Sequence, residues 1–336
     1  MKTYDCFIFF NELDLLELRL NVLNDCVDYF VIVESAITFQ GDSKEFFFEK
    51  NKSRFVKFEH KIIHLKVEKY EFDFSNLPYI LEPKSADEKV LNKIYEFIDG
   101  CSGFDKKMAF WWGNDFFQRE CIWRALVIAN PKPNDFILLS DLDEIPNPYA
   151  INKAKIMSAD HSVIYFRQHE FCYYLNYYHN SDWLGTCGFL FSEYANPSMN
   201  IIRANAKQKN LSSLKILDNG GWHFTSVGSV AAIKEKIQSW SHKEFNTTST
   251  LNRVNYNVRH GFDLFRRPGF GKLKCISREH EMLPRYLVEN VAMFLGLIGP
   301  AIEKEGFFQW AFRTTHSHCR SKVGVILRKI KNLVLK

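Results

Sequence analysis

The stretch DFILLSDLDEIPNP, residues 135–148, carries the central question of this chain. Four apolar residues, Phe136 to Leu139, show the continuous hydrophobicity of a strand buried on both faces. Three carboxylates follow within four positions, Asp141, Asp143 and Glu144, before Pro146 ends the pattern. In extended backbone, residues two apart lie on one side at about 6.5 to 7 Å, so Asp141 and Asp143 can bracket one hard cation and the oxyanion it carries. A diphosphate is repelled by bare carboxylates, whereas a divalent ion between them reverses the local sign and stabilises charge on a departing phosphate. The structural alternative is an acidic turn leading into a helix opened by Pro148 and capped by Asn147.

On the N-terminal side, YDCFIFF (4–10) reads as a buried strand, Leu13, Leu16, Leu20 and Leu23 recur at helical spacing, and YFVIVES (29–35) reads as a second strand. KIIHLKV (61–67) gives a third strand. FFQRECIWRALVIA (116–129) gives a helix that delivers the chain to the strand ending at Asp141. This alternation predicts an α/β fold with a mainly parallel sheet flanked by helices. Ligands in such sheets bind beyond the carboxyl ends of the strands, where Asp141 stands. On the C-terminal side, SVIYFRQ (162–168) reads as a strand, and FCYYLNYY (171–178) as a strand packed on both faces. EPKSADEKVLNKIYEFIDG (82–100) is expected to be a partly helical surface insertion. Residues 1–295 are expected to form the main domain and 296–336 a basic amphipathic extension.

Charge distribution argues against a nucleic-acid-binding face spread over the fold. The net charge is +5, but six basic residues and no acidic one lie from Arg320 onward, so the rest sums to 5 − 6 = −1. Phosphate-backbone affinity needs cations clustered on the fold, and a nearly neutral body lacks them. The eight cysteines form no C-x-x-C pair, so free thiols are expected. No apolar run reaches the roughly 18 residues of a membrane-spanning helix. The opening MKTYDCFIFF places Asp5 inside what would be a signal peptide's apolar region, and a cytoplasmic location is the expectation.

SDLDEIP after a buried strand resembles the D-x-D element of nucleotide-sugar-dependent glycosyltransferases of the GT-A fold. Four ordered blocks narrow the resemblance: YDCFIFFNELDLLELRLNVLNDCVDYFVIVESAITFQGDSK (4–44), the W-x-x-D-x-x-Q-R of Trp112 to Arg119, DFILLSDLDEIPNP, and GWHFTSVGSVAAIKEKIQSWSHKEFN (221–246). Together they resemble glycosyltransferase family 17, the family of the β-1,4-mannosyl-glycoprotein β-1,4-N-acetylglucosaminyltransferase, over roughly residues 4 to 295. The resemblance implies a GT-A fold, a UDP-sugar donor with UDP-GlcNAc the expected one, a divalent metal, and inversion at the anomeric carbon. By the same resemblance Asp141 lies by the ribose and metal, Asp143 is the direct metal ligand, and His223 completes the site. An imidazole beside oxygen ligands suits Mn²⁺ somewhat better than Mg²⁺. Glu34 and Thr38 fall where such folds hold the nucleotide, or else form a capped turn before Gly41. Arg119 is a candidate for a phosphate or a carboxylate, since its planar fork binds either. The family usually shows Glu where Asp115 stands. RRPGFGK (266–272) is expected to be an exposed turn.

An inverting displacement requires a carboxylate to take the proton of the attacking hydroxyl. Asp182, Glu170 and Glu144 are the candidates. Asp182 is favoured because Trp183 beside it could stack on a sugar face. Two other functions fit parts of the pattern. A sugar-1-phosphate nucleotidyltransferase would need a glycine-rich loop after the first strand, yet no glycine precedes Gly41. A non-catalytic carbohydrate-binding protein could use the seven tryptophans but has little need for SDLDE at a strand end. The expected acceptor is a glycan or a lipid-linked saccharide. In SKVGVILRKIKNLVLK (321–336), Val323, Ile326, Leu327, Ile330, Leu333 and Val334 form an apolar stripe with cations off it. Such a helix packs on the body or lies on an anionic membrane surface, where the enzyme would be peripheral at the inner face.

Overall fold

The computed structural model describes residues 1–68, 109–158, 163–191, 198–206 and 212–306, with isolated positions between 81 and 92. Most of the expected insertion at 82–100, and all of the stretch at 321–336, lie outside the described residues. The N-terminal reading holds: β1 (Thr3–Phe9), α1 (Leu13–Leu23) and β2 (Tyr29–Ser35) form a βαβ unit. A short α2 (Phe47–Lys50) and a 3₁₀ segment (Lys52–Lys61) lead to β3 (Ile62–Val67), and the long α3 (Ala109–Ala129) leads to β4 (Phe136–Asp141). Beyond the acidic turn come β5 (Glu144–Pro146), α4 (Pro148–Met157), β6 (Ile164–Cys172), β7 (Tyr177–Leu190), α5 (Met199–Asn205) and β8 (Lys215–Thr225). Helices α6 (Val230–Ser239) and α7 (Thr248–His260), the two-residue β9 (Lys274–Cys275) and α8 (Arg285–Glu289) follow.

Among the described residues these strands make one sheet in the order β3-β2-β1-β4-β7-β6-β8-β5, with β9 on β7. The first four are mutually parallel. Strand β7 then joins β4 antiparallel, β6 pairs antiparallel with β7 and parallel with β8, and β5 pairs antiparallel with β8. The fold is thus mixed α/β with a mostly parallel sheet, and only β5 and β7 run against the rest. The reversal corrects one expectation. Residues 171–178 are not a single strand: Phe171 and Cys172 end β6, Tyr177 and Tyr178 begin β7, and Tyr173 adopts φ 71° in the turn between them.

Alternation explains why β4 is apolar throughout. Phe136 and Leu138 join the core under α1 and α4, while Ile137 and Leu139 join the core under α3 and α5. Burial on both faces removes any need for polar residues until the strand emerges at Asp141. A third cluster packs α6 and α7 against Cys172, Tyr173 and Tyr177. This places α6 beside the carboxyl ends of the strands. Past the boundary expected at 295 the chain is still bonded to the body, since Gly299 N donates to Asn176 Oδ1 at 2.7 Å and Tyr177 Oη donates to Pro300 O at 2.7 Å. No helix among the described residues is long and apolar enough to cross a membrane. The cysteines described are free thiols.

Candidate active site

The acidic turn is held by a residue that sequence reasoning passed over. Arg19 sits on the buried face of α1 and is fully enclosed, with Asp5 equally enclosed beside it. Its Nε and Nη2 donate to the two Asp5 oxygens at 2.8 and 2.6 Å. Its Nη1 donates to the carbonyls of Asp141, Leu142 and Glu144 at 2.9, 3.0 and 3.0 Å. A signal was present, because Arg19 lies three residues after Leu16 and four before Leu23, on the apolar stripe itself. A cation there requires a buried partner.

Register then builds the site. Strand β5 pairs with β8 so that Glu144 lies opposite His223, and β8 pairs with β6 so that His223 lies opposite Glu170. Gly221 lets β5 approach, since its φ is 138° and a Cβ would run into the Ile145 carbonyl. The turn also caps the next helix, with Asn147 Oδ1 accepting from Tyr149 N at 3.0 Å and Pro148 in the first turn. The structural alternative, an acidic turn leading into a capped helix, is thus present.

The three carboxylates have different surroundings. Asp141 accepts from Arg203 at 2.7 Å and from Arg119 at 3.2 Å. Burial alone would raise its pKa, but the two guanidiniums hold the carboxyl well below the ordinary range. Glu144 is fully enclosed. It accepts from both Arg203 nitrogens, from Trp183 Nε1 at 2.9 Å and from Asp141 N at 2.9 Å. It is therefore a buried anchor for Arg203 rather than an available base. Asp143 presents Oδ2 to Lys236 Nζ at 3.0 Å, while its Oδ1 lies 3.8 Å from His223 Nε2. Lys236 also reaches Glu12 Oε1 at 3.3 Å, and the two carboxylates raise its pKa against the opposing effect of burial.

Arg203 could not be found by motif. It lies on α5, whose N-terminus Glu120 receives through Ser198 Oγ at 2.6 Å, Met199 N at 3.0 Å and Asn200 N at 3.1 Å. Arg119 also donates to Asn200 Oδ1 at 3.1 Å and pairs with Asp115 at 2.9 Å. Two helices thus converge on one aspartate.

A cavity of about 660 Å³ opens over this turn, with Asp141, Asp143, Glu170, Trp183, His223, Arg119, Arg203 and Lys236 on its walls. Trp183 stacks on His223 with ring centroids 4.1 Å apart. His223 Nδ1 is buried with no hydrogen-bond partner among the described residues, 3.8 Å from Glu170 Oε1. Glu170 Oε2 is met by His179 Nδ1 and by Asn180 Nδ2 at 2.9 Å. Burial would push the Glu170 carboxyl up, yet the His179 hydrogen bond and the adjacent His223 leave it below its ordinary value. The far end of the cavity is aromatic, where Trp112, Trp240, His242, Phe245 and Phe265 meet.

Two expected residues, Asp182 and Glu34, stand off the cavity. Asp182 is exposed and does not line the cavity. Successive strand residues face opposite sides, so turning Trp183 inward turns Asp182 outward. Glu34 is fully buried and also off the cavity, accepting from His64 Nε2 at 3.1 Å and Phe48 N at 3.1 Å. Thr38 does line the cavity, but its hydroxyl accepts from Asp42 N at 3.1 Å in a turn whose Gly41 has φ 96°. Gln118 bridges strands by donating to Val33 O at 3.0 Å. The 266–272 segment is mostly exposed turn, as expected, although Arg267 reaches the cavity.

A carboxylate turn with fixed cations thus stands at the carboxyl ends of parallel strands, where ligands of mixed α/β sheets bind. The chain belongs to glycosyltransferase family 17, whose sequence profile matches residues 1–98 and 84–301, and the protein is a glycosyltransferase. No curated protein matches it. Among solved structures it is similar to a 4-diphosphocytidyl-2C-methyl-D-erythritol synthase at 10% identity, covering 65% of this chain and 89% of that one, with a TM-score of 0.30. A likeness that loose carries no argument about fold or function.

Proposed function

We propose that this glycosyltransferase has the GT-A architecture and transfers GlcNAc from UDP-GlcNAc, with inversion, to a glycan or lipid-linked saccharide. The observation that carries the reading is the row Glu144, His223 and Glu170 across β5, β8 and β6, with Asp143 at its edge on the cavity wall. Asp143 and His223 are the residues that would hold a divalent ion. Neighbouring octahedral ligands at about 2.1 Å lie about 3.0 Å apart, so the 3.8 Å between Oδ1 and Nε2 would close by less than about 1 Å around such an ion. An oxygen and nitrogen donor set suits Mn²⁺, with Mg²⁺ as the alternative. When bound, the ion would supply positive charge to the departing diphosphate. Asp141 falls out of the ligand set, because its oxygens already accept from Arg119 and Arg203. Its role is to hold those guanidiniums at the cavity wall.

Glu170 replaces Asp182 as the base. It lines the cavity, and its depressed pKa keeps it ionised at neutral pH, at some cost in basicity. Trp183, inward and stacked on His223, offers a flat apolar face beside it. The nucleotidyltransferase alternative lacks phosphate-cradling glycines, since Phe10, Asn11 and Glu12 follow β1. The amphipathic pattern at 321–336 is the basis for proposing an anionic membrane face as the enzyme's site of work. Flotation of the full chain with anionic and neutral vesicles tests that part.

Thermal-shift screening of UDP, GDP and CMP sugars with and without Mn²⁺ tests the donor, followed by UDP-release assays with the best binder. The largest shift is expected for UDP-GlcNAc with Mn²⁺. Equal shifts for all three nucleotides, or none, would remove the reading.

A further inference from the structure

The two aspartates of the turn are neutralised by different means. Asp141 is shared by two arginines whose rigid forks are bonded in turn to Glu144, Asn200 and Asp115. Asp143 is met by a lysine. Lys236 extends from the last turn of α6, places Nζ 3.0 Å from Asp143 Oδ2 and 3.3 Å from Glu12 Oε1, and remains 24% exposed where it lines the cavity. An ammonium on a four-carbon stem is a mobile point charge, whereas a bidentate guanidinium is a fixed one. The other oxygen of Asp143 faces His223 Nε2 at 3.8 Å.

We propose, building on the UDP-sugar reading above, that Lys236 is the resting counter-ion of Asp143 and gives up that place to the divalent ion when donor binds, moving its ammonium onto the diphosphate. A monovalent and a divalent cation on one carboxylate repel each other, so a divalent ion held at Asp143 would loosen its hold on Lys236. The diphosphate brings the negative charge that receives it, and Glu12 keeps the side chain within reach. Metal and nucleotide therefore bind weakly alone and tightly together, and each raises the affinity of the other by the same factor.

The test is calorimetric titration of the full chain and its Lys236→Met and Lys236→Arg variants with Mn²⁺ alone, then with UDP in saturating Mn²⁺. Lys236→Met is expected to bind Mn²⁺ alone about tenfold tighter and UDP about tenfold more weakly, while Lys236→Arg, whose fixed fork gives up the carboxylate less readily, binds Mn²⁺ more weakly than the unaltered protein. Circular dichroism melting checks the fold, and Lys236→Gln carries the same comparison if the Met variant does not fold. Unchanged Mn²⁺ affinity in the neutral variants would reduce Lys236 to a structural ion pair and overturn the proposal. Tighter Mn²⁺ with unchanged UDP affinity would overturn the transfer to diphosphate. If the unaltered protein binds no UDP even with Mn²⁺, the donor reading fails, while the Mn²⁺ titration still decides the counter-ion role.

Discussion

Replacing Arg19 with methionine should damage stability and binding by separable routes. Arg19 and Asp5 are both fully enclosed, so the change strands one ionised carboxylate in the core. Removing one partner of a buried ion pair costs about 3–5 kcal/mol. The carbonyls of Asp141, Leu142 and Glu144 also lose their Arg19 donor, at about 1 kcal/mol each. These contributions overlap, so a net loss of about 5 kcal/mol is expected, a large part of the roughly 5–15 kcal/mol that holds a typical domain folded. Urea denaturation followed by circular dichroism measures it. The double variant Asp5→Leu, Arg19→Met exchanges the pair for apolar groups and should recover most of the stability. It restores no donor to the turn carbonyls, so UDP binding in Mn²⁺ should stay weak in the folded double variant. A loss below about 1 kcal/mol for Arg19→Met, or a double variant no more stable than the single, would refute this account of the turn.

Other outcomes follow from the same geometry. Asp143→Ala should abolish Mn²⁺-dependent UDP binding in calorimetry while leaving the circular dichroism spectrum unchanged, because Asp143 lies on the cavity wall. Glu170→Gln should keep UDP-sugar affinity and lower kcat by about 10² or more, whereas the outward-facing Asp182→Asn should turn over normally. Because the Glu170 carboxyl lies below its ordinary range, its own protonation should not limit kcat near neutral pH at saturating Mn²⁺ and donor, which a pH profile of kcat checks. The folded-state pKa of Asp141 is depressed, so its contribution to stability is present above about pH 4 and is lost as pH falls through the folded value. Asp141→Asn should flatten that part of the denaturation profile.

The parallel half of the fold was legible because its signals are local: β1, α1, β2 and β4 each carry their burial pattern in consecutive residues. The antiparallel half was not. Whether Phe171 to Tyr178 continues or turns depends on Tyr173, a non-glycine residue with positive φ that no pattern marks. Asp141, Asp143 and His223 could be named from spacing and resemblance. Their partners Arg203 and Lys236 come from helices far along the chain, and only tertiary packing brings them in. Asp182 and Trp183 are neighbours on β7, so alternation turns only one of them toward the cavity, and that one is Trp183.

The bracing of the acidic turn bears on the heat and entropy of ligand capture. Its backbone is tied by Arg19 on one side and by pairing of β5 with β8 on the other, and Phe224 N donates to Asp143 O at 2.7 Å. Freezing a free backbone residue costs about 1–2 kcal/mol, and here that ordering is complete before any ligand arrives. A ligand reaching the turn therefore loses its own freedom, while the turn contributes no further loss. The entropic cost of association then belongs to the substrate, and extra contacts made by a longer acceptor or a stiffer donor pass into affinity undiminished by loop closure.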